Sequence, residues 1–166
     1  IKELEHQGYQ FEAAESTFEL IIRKQLGKYK PFFELEKFKL MTEQPNLSGN
    51  SASALIKVTV DGRSEITAAE GNGPIHALDR ALRKALEVFY PELSSVHLTD
   101  FKVRVIDSNK ATAAKVRVLI ESTDGESVWT TVGVSTDVIE ASWIALVDSI
   151  EYKLLKDIEG KIHDRK

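Results

Sequence analysis

The feature that most restricts this chain is a plan used twice: two strands joined by an Asp-Gly turn, then a glycine-led passage into a helix. In the first copy, residues 54–60 and 64–69 alternate apolar and polar side chains around Asp61-Gly62, which predicts a hairpin with a tight turn. Glu70-Gly71-Asn72-Gly73-Pro74 then leads into a helix that places Ile75, Leu78, Leu82, Ala85 and Phe89 on one face. Pro74 suits a first helical turn, where its missing N–H removes no hydrogen bond. In the second copy, Val116, Val118 and Ile120 alternate with Lys115 and Arg117, Asp124-Gly125 turns the chain, and residues 128–134 return. Gly133-Val134-Ser135-Thr136-Asp137 opens a helix carrying Ile139, Ala145, Leu146 and Ile150. One further strand precedes each copy, at residues 33–41 and 101–106. The expected fold class is α+β: duplicated βββα units, about 31–91 and 96–160, forming one pseudo-two-fold domain over residues 31–166.

Residues 1–30 lie outside the repeat and read as a short helical subdomain. Residues 1–7 resemble the end of a helix stopped by Gly8. A second helix follows from Tyr9, with Phe11, Ala14, Phe18, Ile21, Ile22 and Leu26 on its expected apolar face. Glu12 and Glu15 begin that helix, Arg23 and Lys24 close it, and Gly27 and Pro31 stop it. The chain opens at Ile1 inside helical sequence without an initiator methionine, so a piece of a longer protein is expected.

Along the repeat, Phe33 and Leu35 share one strand phase and Phe38 and Leu40 the other, which predicts a β-bulge near Glu36-Lys37. Residues 44–53 read as a surface loop, Tyr90-Pro91 as a helix break and residues 107–110 as a turn. Gly160 is expected to end the last helix ahead of a charged tail, residues 161–166.

Composition removes several function classes. A formal net charge of −4 argues against nucleic acid as partner, because phosphate neutralisation needs clustered lysine and arginine. With no cysteine, neither a disulfide framework nor a thiolate metal site can form. No apolar run reaches membrane-spanning length and no signal sequence is visible, so no membrane partner and cytoplasmic residence are expected. His6, His76, His97 and His163 fall in four elements without metal-ligand spacing, which predicts no metal. Gly71–Pro74 lacks the Gly-Lys-Ser/Thr ending of a nucleotide loop, and no nucleophile elbow is present. No catalytic residue is assigned. The Asp79/Arg83 and Arg83/Glu87 spacings read as surface ion pairs, and Trp129 and Trp143 as core or interface aromatics.

What remains is an anion seat. Glycines before a helix leave backbone N–H groups approachable, and the dipole there favours a carboxylate. In a two-fold arrangement both helix starts, Gly71–Ile75 and Ser135–Asp137, would face one cleft suited to a small zwitterion.

Two stretches carry a family resemblance: residues 70–78, and Val132-Gly133-Val134-Ser135 with Ile139-Glu140-Ala141-Ser142-Trp143. Together they resemble the C-terminal regulatory domain of the isopropylmalate synthase family. Residues 141–152 are most similar to its citramalate synthase branch, and residues 1–5 and 8–12 resemble the helical linker before that domain. The resemblance implies a parent acyltransferase condensing acetyl-CoA with pyruvate, in an N-terminal barrel needing a divalent metal. No cofactor is implied for these residues themselves. It also implies a homodimer and an end-product effector, isoleucine in the citramalate branch and leucine in the isopropylmalate branch, with feedback inhibition. The effector pocket it implies takes Gly71, Asn72, Gly73, Pro74, Ile75, Ser135 and Asp137 at the helix starts. Its apolar wall comes from Leu98, Phe101 and Val105, with Thr112 and Val116 beyond the turn. The alternative from the residues is a purely structural dimerisation domain whose glycines serve the backbone only.

Overall fold

A computed structural model describes residues 15–45, 49, 51–106 and 114–163. The expected helix over residues 1–7, its stop at Gly8, the turn at 107–110, Thr112 and the end of the tail lie outside the described residues. No described helix is long and apolar enough to cross a membrane.

The order of elements is α1 (Glu15–Gln25), β1 (Glu34–Thr42), β2 (Ala52–Val60), β3 (Arg63–Gly71), α2 (Pro74–Leu86), a short 3-10 turn (Pro91–Ser95), β4 (His97–Val105), β5 (Val116–Thr123), β6 (Val128–Ser135) and α3 (Val138–His163). The strands form two three-stranded antiparallel sheets, β1-β2-β3 and β4-β5-β6. Each sheet is followed by its helix, so the duplicated βββα reading holds.

Two compact units result, one over residues 31–95 and the other over residues 96–166 together with 1–30. In the first, Asp61 and Gly62 take φ of 48 and 77, the left-handed pair a two-residue hairpin needs. The bulge falls between Leu35 and Lys37, as the phase switch predicts. It brings Leu35 and Phe38 opposite Val58 and Ile56, both fully buried, so both phases of β1 face α2. Leu78, Leu82, Ala85 and Leu86 of α2 are likewise fully buried. The Asp79–Arg83 pair departs from expectation: Asp79 is only 6% exposed and takes a two-pronged bond from Arg83, at 2.8 and 3.2 Å. It is a buried anchor rather than a solvated surface pair.

In the second unit, Val118, Ile120 and Val132 are fully buried, with Trp129 at 6% exposure. Gly160 does not end α3, which continues to His163. Gly27 does end α1: its φ of 65, with bonds from Gly27 N–H to Lys24 O and Lys28 N–H to Arg23 O, forms a Schellman cap. The fully buried side of α1 is Ser16, Thr17 and Leu20, whereas Phe18, Ile21 and Ile22 are partly buried and Leu26 is 62% exposed. The docked face is thus centred on Thr17 and Leu20, to one side of the expected stripe, of which Leu26 stands clear and Phe11 and Ala14 lie outside the described residues. Thr17 Oγ1 accepts the Val132 N–H at 2.8 Å, so α1 closes the free edge of β6.

Candidate functional site: two unlike helix starts and an apolar edge strand

The duplication aligns residue for residue at the helix–sheet contacts. Thr67 donates to Ala81 O at 2.8 Å in the first unit, and Thr131 donates to Ala145 O at 2.7 Å in the second. The two helix starts, by contrast, differ.

At the first, Gly71 is buried at the end of β3. A Cβ on it would stand 2.5 Å from Ala77 N and 3.0 Å from Ala77 Cα. The missing side chain is thus filled by the backbone of α2 lying against the strand. Gly73 is the N-cap, with φ −161 and ψ 173, an extended conformation open to any residue. Nothing lies within 4 Å of a Cβ placed there. The first intrahelical bond runs from Ala77 N–H to Gly73 O at 3.0 Å. Ahead of it Pro74 has no N–H, and the amides of Ile75 and His76 receive no side-chain cap and no acid in the first turn. The exposed Asn72 is fixed by its own neighbours: its N–H donates to His76 Nδ1 at 3.1 Å and its carbonyl accepts from Ser51 Oγ at 2.7 Å. The result is a half-exposed rim at the positive end of a helix.

At the second start, Asp137 caps the helix. Its Oδ1 accepts the Ile139 N–H at 2.8 Å and its carbonyl the Ala141 N–H at 2.9 Å. Ser135 Oγ accepts the Asp137 N–H at 3.1 Å and donates to Glu140 Oε2 at 2.6 Å. The chain's own carboxylates stand where a ligand's carboxylate was expected, and a further anion would meet like charge. Gly133, like Gly71, is a packing glycine: a Cβ would fall 1.9 Å from Ala141 O.

The apolar wall residues form one surface. Phe101 pairs with Ile120 and Val105 with Val116, which in turn pairs with Ser135, so Val105, Val116 and Ser135 lie in one cross-strand row. A bulge between Leu98 and Asp100 sets Leu98 opposite Ser122, whose Oγ meets Ser149 of α3 at 2.7 Å. Leu98, Phe101 and Val105 therefore share the side of the sheet that α3 packs on. Being on an edge strand, they stay partly open: Leu98 and Phe101 are half-buried and Val105 is 60% exposed. Val103, 43% exposed and opposite Val118, belongs to the same surface and was not assigned to the wall, although the alternation Phe101-Lys102-Val103-Arg104-Val105 would have placed it there. Sequence reading also missed His76 and the Ser135–Glu140 brace.

The polar groups inside the second unit are structural. Trp129 Nε1 donates towards both the carbonyl and the hydroxyl of Ser149, each at 3.0 Å. Among the described residues every buried side-chain nitrogen or oxygen has a hydrogen-bond partner, and no group of three or more His, Asp or Glu could hold a metal ion.

Residues 12–154 match the family described as the LeuA allosteric (dimerisation) domain. The chain belongs to that family. Over 163 residues it is 56% identical to an (R)-citramalate synthase of Aquifex aeolicus, covering 98% of this chain and 31% of that protein. It is 53% identical over 163 residues to an (R)-citramalate synthase of Geobacter sulfurreducens, covering 96% of this chain and 31% of that protein. Similarity to a 2-isopropylmalate synthase of Clostridium kluyveri is lower, 24% over 137 residues, covering 82% of this chain and 24% of that protein. The chain spans about three-tenths of the length of the citramalate synthases it matches. It resembles their regulatory part.

Proposed function

We propose that this domain is the amino-acid-sensing and dimerising part of a citramalate synthase, and that isoleucine is its effector in feedback inhibition of isoleucine biosynthesis. The parent's acyl transfer, and the divalent metal it needs, would then belong to a catalytic barrel outside these residues, and the fragment itself would be inactive. The observation that carries the reading is the apolar row on β4, Leu98, Phe101, Val103 and Val105, kept partly open on the helix-bearing side of its sheet. Such a surface suits a branched aliphatic side chain or a second copy of the domain. The uncapped start of α2 separately offers amide donors of the kind a carboxylate takes. The greater identity to (R)-citramalate synthases than to a 2-isopropylmalate synthase supports isoleucine before leucine.

Calorimetric titration with isoleucine, leucine and valine tests this directly. Isoleucine should bind first, with modest discrimination, because moving one methyl group in an apolar pocket is worth roughly 1–3 kcal/mol. Phe101→Ala should weaken binding by removing wall area, and Gly73→Val by covering the amides at the α2 start. Unchanged affinity in both variants would place the effector elsewhere.

A second reading, a structural dimerisation domain without an effector, is favoured by Gly71 and Gly133, whose missing side chains are filled by helix backbone. It predicts no heat with any of the three amino acids and an unaltered dimer in sedimentation.

A further inference from the structure

Helix α1 is held on the second unit by ion pairs and hydrogen bonds as well as by apolar packing. Its fully buried apolar side chain is Leu20, beside the hydroxyl residues Ser16 and Thr17. The Thr17 hydroxyl takes the Val132 N–H of the β6 edge. Among the described residues, three ion pairs tie α1 to α3. Arg23 bonds Glu19 at 2.8 Å and reaches Glu159 of α3 at 2.5 Å. Lys156 of α3 reaches back to Glu19 at 2.8 Å. Lys24 lies 3.6 Å from Asp148, and the Tyr29 hydroxyl bonds Glu151. Both of those α3 acids are covered, Asp148 at 7% exposure and Glu151 at 2%.

This balance differs from that of a core helix. Part-exposed ion pairs contribute little each, and they weaken with salt. Keeping two carboxylates out of water costs free energy that their partners must offset. If α1 left, Asp148 and Glu151 would regain water, which returns part of what the lost pairs gave. Behind α1, the sheet and α3 retain their own closed core of Ile120, Val118, Ala145, Ile150 and the Trp129–Ser149 bonds.

We propose that α1 is a releasable clasp, able to leave the second unit as one piece while β4–β6 and α3 stay folded. The charges of Glu19, Arg23, Lys24, Asp148, Lys156 and Glu159 set how firmly it holds. Helix α1 is thereby held by the same unit that carries the apolar row. The clasp does not depend on which effector, if any, that row takes.

Hydrogen–deuterium exchange on the 166-residue chain tests it, following α1 amides against Ile56 and Ile120 in the two sheets. Lys156→Glu sets a third acid against Glu19 and Glu159. It should speed exchange across α1 about ten-fold, as expected of a local opening, while both sheets keep wild-type protection. Thr17→Val should do the same from the other contact. Should either variant fail to fold, wild-type chain in high against low salt gives the same reading, with α1 alone becoming less protected. Exchange that rises in α1 and β5 together would make α1 an integral part of the core. An α1 indifferent to salt and to charge reversal would overturn the proposal equally.

Discussion

The two βββα units share a plan but are finished differently. In the first, Val58 and Ala85, both fully buried, stand at the positions that Ser122 and Ser149 hold in the second. In the second, Ser122 and Ser149 meet hydroxyl to hydroxyl, and Ser149 accepts the indole N–H of Trp129. The first helix begins at an uncapped Gly73-Pro74, whereas the second is closed by Asp137, Ser135 and Glu140. Their outer edges differ too. Arg80 and Lys84 of α2 reach the Glu70 and Ala68 carbonyls of β3, while β6 is covered by a separate helix. Duplication has kept what the fold needs, strand order and close helix approach, and has left the helix starts and the polar interior free to diverge. A helix start that could have been capped as its twin is, and was not, is the natural place to look for a ligand.

The largest effect should come from the glycines that look alike in sequence and differ in structure. Gly133→Ala drives a methyl into Ala141 O and should cost about 3 kcal/mol, the upper end of overpacking. Gly73→Ala meets open space and should cost only what an N-cap exchange costs, about 0.5–1 kcal/mol. Denaturant titration of both variants reads the contrast, and equal losses would erase it.

Next in size is a pH contrast. Burial pushes the Asp148 carboxyl from its ordinary 3.8 up to about 6, against the pull of Lys24. The folded state holds this proton longer than the unfolded, so the contribution of Asp148 falls as pH rises from about 4 to about 6. Asp148→Asn should remove that decline and leave the variant about 2 kcal/mol better placed at pH 7 than at pH 4, relative to wild type. Glu36 in the first unit has the opposite sign. Hydrogen bonds from Lys57, then Thr59 and Ser64, lower it from 4.5 to about 2, so its contribution is present above pH 4.5 and is lost as pH falls towards 2. Thermal melts of wild type, Asp148→Asn and Glu36→Gln between pH 2 and pH 7 separate the two slopes (a parallel shift in both variants would sink the contrast).

The interior contrast is smaller. Ser149→Ala strands the Ser122 hydroxyl and should cost about 1–2 kcal/mol. Ser122→Val combined with Ser149→Ala copies Val58 and Ala85 of the first unit and should recover most of that loss. A double-mutant cycle without coupling would show that the serines do not act as a pair.

Exchanging the caps gives the smallest stability change and the sharpest functional one. Asp137→Ala should cost about 1 kcal/mol. Gly73→Asp should add only a few tenths of a kcal/mol of stability, roughly the Gly-to-Asp difference at an N-cap, yet it places a carboxylate over the Ile75 and His76 amides. Isoleucine affinity should fall sharply in Gly73→Asp and hold in Asp137→Ala. Calorimetry in which the two respond alike would break the comparison.

Much of the fold was legible because it is local chemistry. Asp61-Gly62 supplies the two left-handed residues of a tight hairpin, Pro74 opens a helix, Gly27 closes one, and the phase switch in β1 marks its bulge. The repeat announced two equivalent units for the same reason: alternation and helical period follow from backbone geometry that each segment carries with it. What the sequence could not determine is which face meets which neighbour. The bulge in β4 sets Leu98 in phase with Phe101, a relation invisible in a strand whose alternation starts only at Phe101. Leu20 and Thr17, rather than Leu26, dock α1, because the partner surface offers an edge amide and two acids as well as apolar area. Gly71 and Gly73 stand two residues apart with opposite roles, one pressed by helix backbone and the other facing open space. Each of these depends on atoms distant in the chain, and only tertiary packing brings them within reach.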